Sequence, residues 1–260
     1  MDRINPVALV TGAASGIGEA TARRLATRAT GGLILVDHNA QALAAAADRI
    51  GDAPERVSTL AFDVTDPERW REAADFLGAQ YGRLDWAVAN AGIADASPIA
   101  DLAFEDWRRV MAVNLDGVFL TLQTSMALMR GNAQGGAIVV VSSASGLKAE
   151  PGIAAYGASK AGALQLARVA AKEGAPDNIR VNAIAPGGVE TPIWQSVPMF
   201  QELVRETGSE QAAFARMAEM ATPLRYYATA DDIGRQIEML LTDPAPITGA
   251  TMVIDGGYTL

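Results

Sequence analysis

The sequence is expected to fold as an α/β domain with a doubly wound parallel sheet. Three observations carry this: seven short, nearly continuous apolar runs, helical patterns between most successive runs, and a glycine-rich turn directly after the first run. Strands that are apolar on nearly every residue suit burial on both faces, the condition of a parallel sheet covered by helices. In order the runs are VALVT (7–11), GLILVD (32–37), VSTLAFDV (57–64), LDWAVANAG (84–92), GAIVVVSS (136–143), IRVNAIAPG (179–187) and TMVIDGG (251–257). DPERWREAADFLGAQYG reads as a helix with Asp66 as N-cap, Pro67 at the first position and Gly82 just past the end. TADDIGRQIEMLL opens on Thr229 with Asp232 three residues on, the spacing of a capping box. Seven strands alternating with helices give a single-domain, Rossmann-like doubly wound fold over residues 1–260. The interval 188–228, between the sixth and seventh runs, is longer than a crossover needs.

Composition narrows the chemistry. The chain has 260 residues, half of them hydrophobic, enough for one large domain. A formal net charge of -9 opposes binding to nucleic acid phosphates or anionic membrane surfaces, so neither is expected as a partner. With no cysteine, disulfides, thiol nucleophiles and thiolate metal sites are excluded, and no metal site is expected. The single histidine, His38, is expected at a pocket rim or in solvent, without a catalytic role. The N-terminus MDRINPVALVTG carries an acid at position 2 and only a short apolar run, which reads as neither a signal peptide nor a membrane span and suggests a cytoplasmic protein.

The turn after the first strand is TGAASGIG, with Gly12, Gly16 and Gly18 where a strand passes into a helix. Glycines there let backbone approach a pyrophosphate, and the helix N-terminus offers N–H groups and positive dipole to it. The spacing is G-x-x-x-G-x-G, one gap longer than the usual dinucleotide fingerprint, and a purely structural tight turn would look similar. Asp37 ends the second strand about 20 residues on, placed to accept hydrogen bonds from ribose hydroxyls and to repel a 2′-phosphate. Position 15 is serine, so no arginine is available there for such a phosphate, and Arg23 and Arg24 are expected to face away. NAD is favoured over NADP. A second pair stands out in AAYGASKAGALQLARVAA: Tyr156 and Lys160 lie four apart, on one face of a helix otherwise small and apolar.

TGAASGIG, NAG at 90–92, the asparagine at 114, SS at 142–143, YGASK at 156–160 and PGGVETP at 186–192 together resemble the short-chain dehydrogenase/reductase family, in order and over nearly the whole chain. The resemblance implies a catalytic set of Asn114, Ser143, Tyr156 and Lys160. Ser143 is preferred over Ser142 on family spacing. In that scheme Tyr156 is general base in oxidation and acid in reduction, Lys160 lowers its pKa, Ser143 holds the substrate oxygen, and Asn114 holds a water that links Lys160 to solvent. The cofactor is carried by Gly12, Ser15, Gly16, Ile17 and Gly18 at the turn and by Asp37. Asp63, ending the third strand, and Val64 would touch the adenine. Asn90, Ala91 and Gly92 would line the floor, or simply form a structural turn. Pro186, Gly187, Val189 and Thr191 would lie along the nicotinamide, with Thr191 before Pro192 in an N-cap pattern, and Tyr156 and Lys160 would also touch the cofactor. DGGY at 255–258 resembles the family's C-terminal signature and is expected to pack structurally. Tyr226 and Tyr227 depart mildly from the pattern, standing where relatives have small residues.

The implied activity is NAD-dependent interconversion of a secondary alcohol and a ketone, a small-molecule substrate. Two alternatives stand beside it: an NADPH-type reductase of 3-oxoacyl thioesters, and a dinucleotide-sensing protein without turnover. The family implies a homo-oligomer, a tetramer, with the apolar face of helix 154–171 (Leu164, Leu166, Val169) against its mate; burial of that face within one chain is the alternative. The interval 188–228 is the expected substrate lid. Trp194, Met199, Phe200, Phe214, Met217 and Met220 would suit an apolar or cyclic substrate, or else pack on the protein itself.

Overall fold

The computed structural model describes residues 5–51 and 54–260. The N-terminal residues 1–4, including the acid at position 2, lie outside them. Seven strands form one sheet: β1 (Val7–Thr11), β2 (Gly32–Asp37), β3 (Val57–Ala61), β4 (Trp86–Ala89), β5 (Gly136–Val141), β6 (Ile179–Pro186) and, after the short β7 (Val189–Glu190) and β8 (Ala228–Thr229), β9 (Thr251–Ile254). Their order is β3-β2-β1-β4-β5-β6-β9 and every pairing is parallel. The order reverses between β1 and β4, which opens a crevice at the carboxyl ends of these strands, where such sheets bind ligands.

β1 and β5 are buried at every residue, as their apolar sequences require. β3 departs from expectation. It stands at the sheet edge, is only partly buried, and stops at Ala61 instead of running to Val64. Its sole partner β2 ends at Asp37, whose carbonyl accepts from Phe62 N as the last ladder bond. Beyond that point the chain has nothing to pair with.

The helices cover both faces. α1 (Gly16–Ala26), α2 (Ala40–Ile50) and α9 (Ala230–Thr242) close one, burying Leu25, Leu43, Ile233 and Ile237. α3 (Pro67–Tyr81), α5 (Gly117–Met129) and α6 (Ala154–Gly174) close the other over Trp70, Leu77, Met129 and Leu164. α4 (Phe104–Met111) packs on α6 and runs into α5 through a π-helical turn, Ala112–Asp116. The expected caps are in place. Asp66 accepts from Glu68 N and Arg69 N, Gly82 takes the left-handed conformation at φ 65°, and Thr229 and Asp232 form the capping box. No helix among the described residues is long and apolar enough to cross a membrane.

Residues 188–228 hold β7, a 3-10 turn at Pro192–Ser196, α7 (Pro198–Thr207), α8 (Glu210–Ala221) and β8. They carry a small core of their own. Phe200, only 1% exposed, meets Phe214 with ring centroids 4.6 Å apart, and Met217 and Trp194 join the cluster. The Trp194 ring stacks on Tyr227 at 6.3 Å, and its Nε1 donates to Val189 O at 3.0 Å. Phe200, Phe214 and Met217 are therefore internal packing of this segment, while Met199 and Met220 face outward. Trp194→Ala is expected to destabilise by about 2 kcal/mol, from one aromatic stack and one hydrogen bond, a fall in Tm of roughly 4–8 °C. Thermal melts check this, and a raised KM for alcohol substrates with Tm unchanged would instead place the indole against substrate.

Helix α6 divides the apolar residues for which a subunit contact and burial within one chain were both expected. Leu164 lies in the chain's own core and Leu166 is partly buried against it; Val169 remains exposed.

Candidate active site

The crevice floor is built by a brace between β1 and β4. Thr11 Oγ1 donates to Val88 O at 3.2 Å and accepts from Asn90 N and Ala91 N. The Asn90 amide donates to the carbonyls of Thr11 (2.9 Å) and Gly12 (3.2 Å). This closeness is what requires glycine. A Cβ on Gly12 would stand 2.8 Å from Asn90 Nδ2, and one on Gly18 would stand 2.0 Å from Gly12 O. Gly12 and Gly18 thus serve the packing of the turn, and Asn90 spends its side chain holding it. Gly16, at φ 55°, brings the turn against Thr191, whose Cβ would be 3.4 Å from an added Cβ.

Ser15 occupies the N-cap position of α1 without a side-chain cap bond, so it does not cap the first-turn N–H groups of Ile17 and Gly18. Asp37, its side chain 11% exposed, turns back to the same place: Oδ2 accepts from Ala14 N at 3.2 Å and Oδ1 from Asn39 N at 3.0 Å. Arg24 is committed elsewhere, to Asp231 (2.6 Å) and Glu238 (3.3 Å) on α9, and Arg23 is exposed. His38 is 78% exposed beside Asp37. A helix N-terminus uncapped by Ser15 and a carboxylate at the next strand end fit a dinucleotide.

Not every expected contact has the expected setting. Asp63 lies two residues past the end of β3, exposed, accepting from Thr65 N at 2.9 Å. Val64 is buried, 2.8 Å from where a Cβ on Gly117 would be, and its carbonyl accepts from Trp70 Nε1. Pro186 ends β6, Gly187 N donates to Ile254 O at 2.9 Å, and Val189 is buried in β7. Thr191 takes the N-cap position of the following turn but makes no side-chain cap bond; its hydroxyl donates to Val189 O instead. The turn is a short 3-10 one, and Thr191 reaches back to the strand.

Tyr156 lies in the first turn of α6, at the carboxyl end of β5, and Lys160 one turn further along. The two serines that follow β5 part company. Ser142 Oγ donates to the backbone carbonyl of Lys160 at 2.8 Å, while Ser143 Oγ accepts from Ser145 N at 3.1 Å and its side chain hydrogen-bonds the Tyr156 phenol. Lys160 is 4% exposed, donates from Nζ to Val141 O at 3.0 Å, and lies 5.7 Å from the Tyr156 ring centroid. Asn114, fully buried in the π-helical turn, is clamped: Oδ1 accepts from Ile93 N (2.8 Å), and Nδ2 donates to Ile93 O (2.9 Å) and Ser159 Oγ (3.2 Å). Ser159 Oγ in turn donates to Tyr156 O. Lys160 and Asn114 converge at Gly92, where an added Cβ would lie 3.2 Å from Nζ and 3.3 Å from Oδ1.

The electrostatics of the chain's own residues run opposite to the lowering expected from Lys160 together with the oxidised nicotinamide. Burial raises the Tyr156 pKa and outweighs the Ser143 hydrogen bond that lowers it. Burial also lowers Lys160 to about 8. Its ammonium is aimed at Val141 O and stands over the ring rather than at the phenol oxygen. Thr11, Ala14, Ile93 and Ser159 were not foreseen as parts of the site. Each acts through a hydrogen bond to a residue foreseen, and nothing local in sequence marks it.

A family model described as short chain dehydrogenase matches residues 6–202. The chain is 38% identical to a cis-4-hydroxycyclohexanecarboxylate dehydrogenase of Sinomonas cyclohexanicum, over 97% of this chain and 96% of that one. It is 36% identical to a 3-oxoacyl-acyl-carrier-protein reductase of Thermotoga maritima, over 98% of each. Among solved structures, carveol dehydrogenase from Mycobacterium avium in complex with NAD superposes with a TM-score of 0.91 at 31% identity, covering 99% of this chain and 98% of that one. The fold and these similarities place the chain in the short-chain dehydrogenase/reductase family.

Proposed function

We propose that this oxidoreductase interconverts a secondary alcohol and a ketone with NAD, with Tyr156 as general base in oxidation and general acid in reduction. The observation that carries the reading is the convergence of Ser143, Tyr156, Lys160 and Asn114 at the carboxyl edge of the sheet, beside the N-terminus of α1 that Ser15 leaves uncapped. Bound NAD supplies the hydride acceptor and, when oxidised, a positive charge. The residues of the chain supply the rest. Ser143, already hydrogen-bonded to the phenol, holds the substrate oxygen next to Tyr156, which takes the hydroxyl proton. Lys160 uses one of its three donors on Val141 O and keeps two for ribose and water. Asn114 Oδ1 has a second lone pair beyond Ile93 N, enough to hold a water near Lys160. A buried phenol needs added positive charge to ionise near neutral pH, and Lys160 together with the oxidised cofactor provides it.

NAD is preferred because the Asp37 carboxylate is held at the glycine turn by Ala14 N, where a 2′-phosphate would be repelled. This argues against the NADPH-dependent thioester reduction that one relative's name suggests. Asp37→Ala is expected to narrow the ratio of kcat/KM for NAD over NADP by more than about tenfold, or ~1.4 kcal/mol. Equal kcat/KM for the two cofactors in the wild type would overturn the assignment. The names of the hydroxycyclohexanecarboxylate and carveol relatives support an apolar or cyclic substrate, and the exposed Phe104, Phe119 and Val169 on α4, α5 and α6 support a homotetramer. A panel of cyclic, long-chain and polyol alcohols, followed by NADH absorbance, tests the activity. Cyclic secondary alcohols are expected to give the highest kcat/KM. Best turnover of polyols would overturn the substrate class, and no turnover of any alcohol would overturn the reaction.

A further inference from the structure

The C-terminal turn after β9 fills the corner between the end of β6 and the exit of segment 188–228. A Cβ on Gly187 would stand 2.8 Å from Asp255 Cα, one on Gly256 3.2 Å from Thr222 Cβ, and one on Gly257 3.0 Å from Pro223 Cγ. Asp255 stiffens the turn by accepting from Gly257 N, Thr259 N and Thr259 Oγ1. From this platform Tyr258 reaches the loop that joins Ser143 to Tyr156. Its phenol O–H donates to the Glu150 carboxylate, and its carbonyl oxygen accepts from Lys148 Nζ at 3.0 Å. The same Nζ lies 4.1 Å from the Tyr258 ring centroid and 3.4 Å from Glu150 Oε1. The three side chains close a polar triangle across 110 residues of sequence.

That loop has few other places to be held. At its start, Leu147 N and Lys148 N donate to Ala144 O; near its end, Ser97 N donates to Gly152 O at 2.7 Å. Lys148 and Glu150 lie between, both partly exposed, and an isolated surface ion pair there would contribute little. The triangle is more than a pair: it adds a phenol–carboxylate bond, a bond to backbone and a cation–π contact to a turn wedged against segment 188–228.

We propose that Lys148, Glu150 and Tyr258 form a clasp that fastens the 147–152 loop to the C-terminal turn, making Tyr258 a positioning residue for Ser143 and Tyr156, which flank that loop four residues before its start and four after its end. The consequence for turnover rests on the function proposed above; the fastening itself does not. Both are tested in the full-length enzyme with Tyr258→Phe, which removes only the hydroxyl, with Glu150→Ala, and with the double variant. Amide exchange across residues 147–152 is expected to quicken in each single variant. kcat with a secondary alcohol is expected to fall about fivefold, the scale of one ordinary net hydrogen bond, with NADH affinity unchanged. The double variant is expected to be no worse than Glu150→Ala alone, since removing the carboxylate already removes the partner of the Tyr258 hydroxyl. Unchanged exchange in folded variants would overturn the clasp, as would additive losses in the double variant. Unchanged kcat in an active enzyme would overturn the positioning role. If the wild type turns over no alcohol, the proposed reaction fails and the exchange measurement alone decides the clasp.

Discussion

Tyr156→Phe is expected to lower kcat by about 10²–10⁴-fold, the contribution of a positioned general acid–base, while leaving NADH affinity nearly unchanged. The phenyl ring can keep its place over Lys160, because what holds α6 here is backbone: Ser142 bonds the Lys160 carbonyl and Ser159 the Tyr156 carbonyl. Only the oxygen that Ser143 touches is lost. Bringing a phenol from about 10 to about 7 is worth roughly 4 kcal/mol, and the substitution forfeits that chemistry altogether. Steady-state kinetics with a secondary alcohol, alongside NADH fluorescence titration, checks both halves. A variant retaining more than about a tenth of the wild-type rate would contradict a general-base role.

Lys160→Met is expected to abolish most turnover and yet to stabilise the protein at neutral pH. The ammonium is 4% exposed, and burial lowers its pKa from 10.5 to about 8. Between these values the folded chain binds fewer protons than the unfolded chain, so this group makes stability rise with pH across that window. Below pH 8 the full cost of burying the charge is present. Methionine removes that cost but leaves Val141 O without its donor, so the net gain at pH 7 is about 1–2 kcal/mol, or roughly 2–8 °C in Tm. The advantage over wild type shrinks as pH rises from 8 toward 10.5. Melts of both proteins at several pH values test this, and a variant less stable at pH 7, or a difference that does not change with pH, would refute it. Loss of turnover paired with gained stability would mark Lys160 as a charge kept for function at a cost to folding.

Local pattern accounts for what could be read directly. Tyr156 and Lys160 share a helix face because four residues make about one turn, and Asp66, Gly82, Thr229 and Asp232 mark helix ends because capping bonds span two to five residues. The apolar runs located all seven strands of the sheet, and the glycine turn located its crevice. Strand ends were less legible. β3 stops where its partner β2 stops, and that partner's end is written elsewhere in the chain.

The sequence by itself determined an alternating parallel architecture and the residue types gathered at the carboxyl edge of its sheet, because periodicity, capping and turn chemistry act over a few residues. Long-range contact settled the rest: that Asn90 braces the glycine turn, that Asn114 is clamped through Ile93 and Ser159, that the aromatics of 188–228 pack on one another, and that Tyr258 closes on Lys148 and Glu150. It also decided that burial, rather than the neighbouring ammonium, dominates the phenol of Tyr156. Desolvation and long-range hydrogen bonds depend on which remote segments arrive at a point in space, and no local pattern records that.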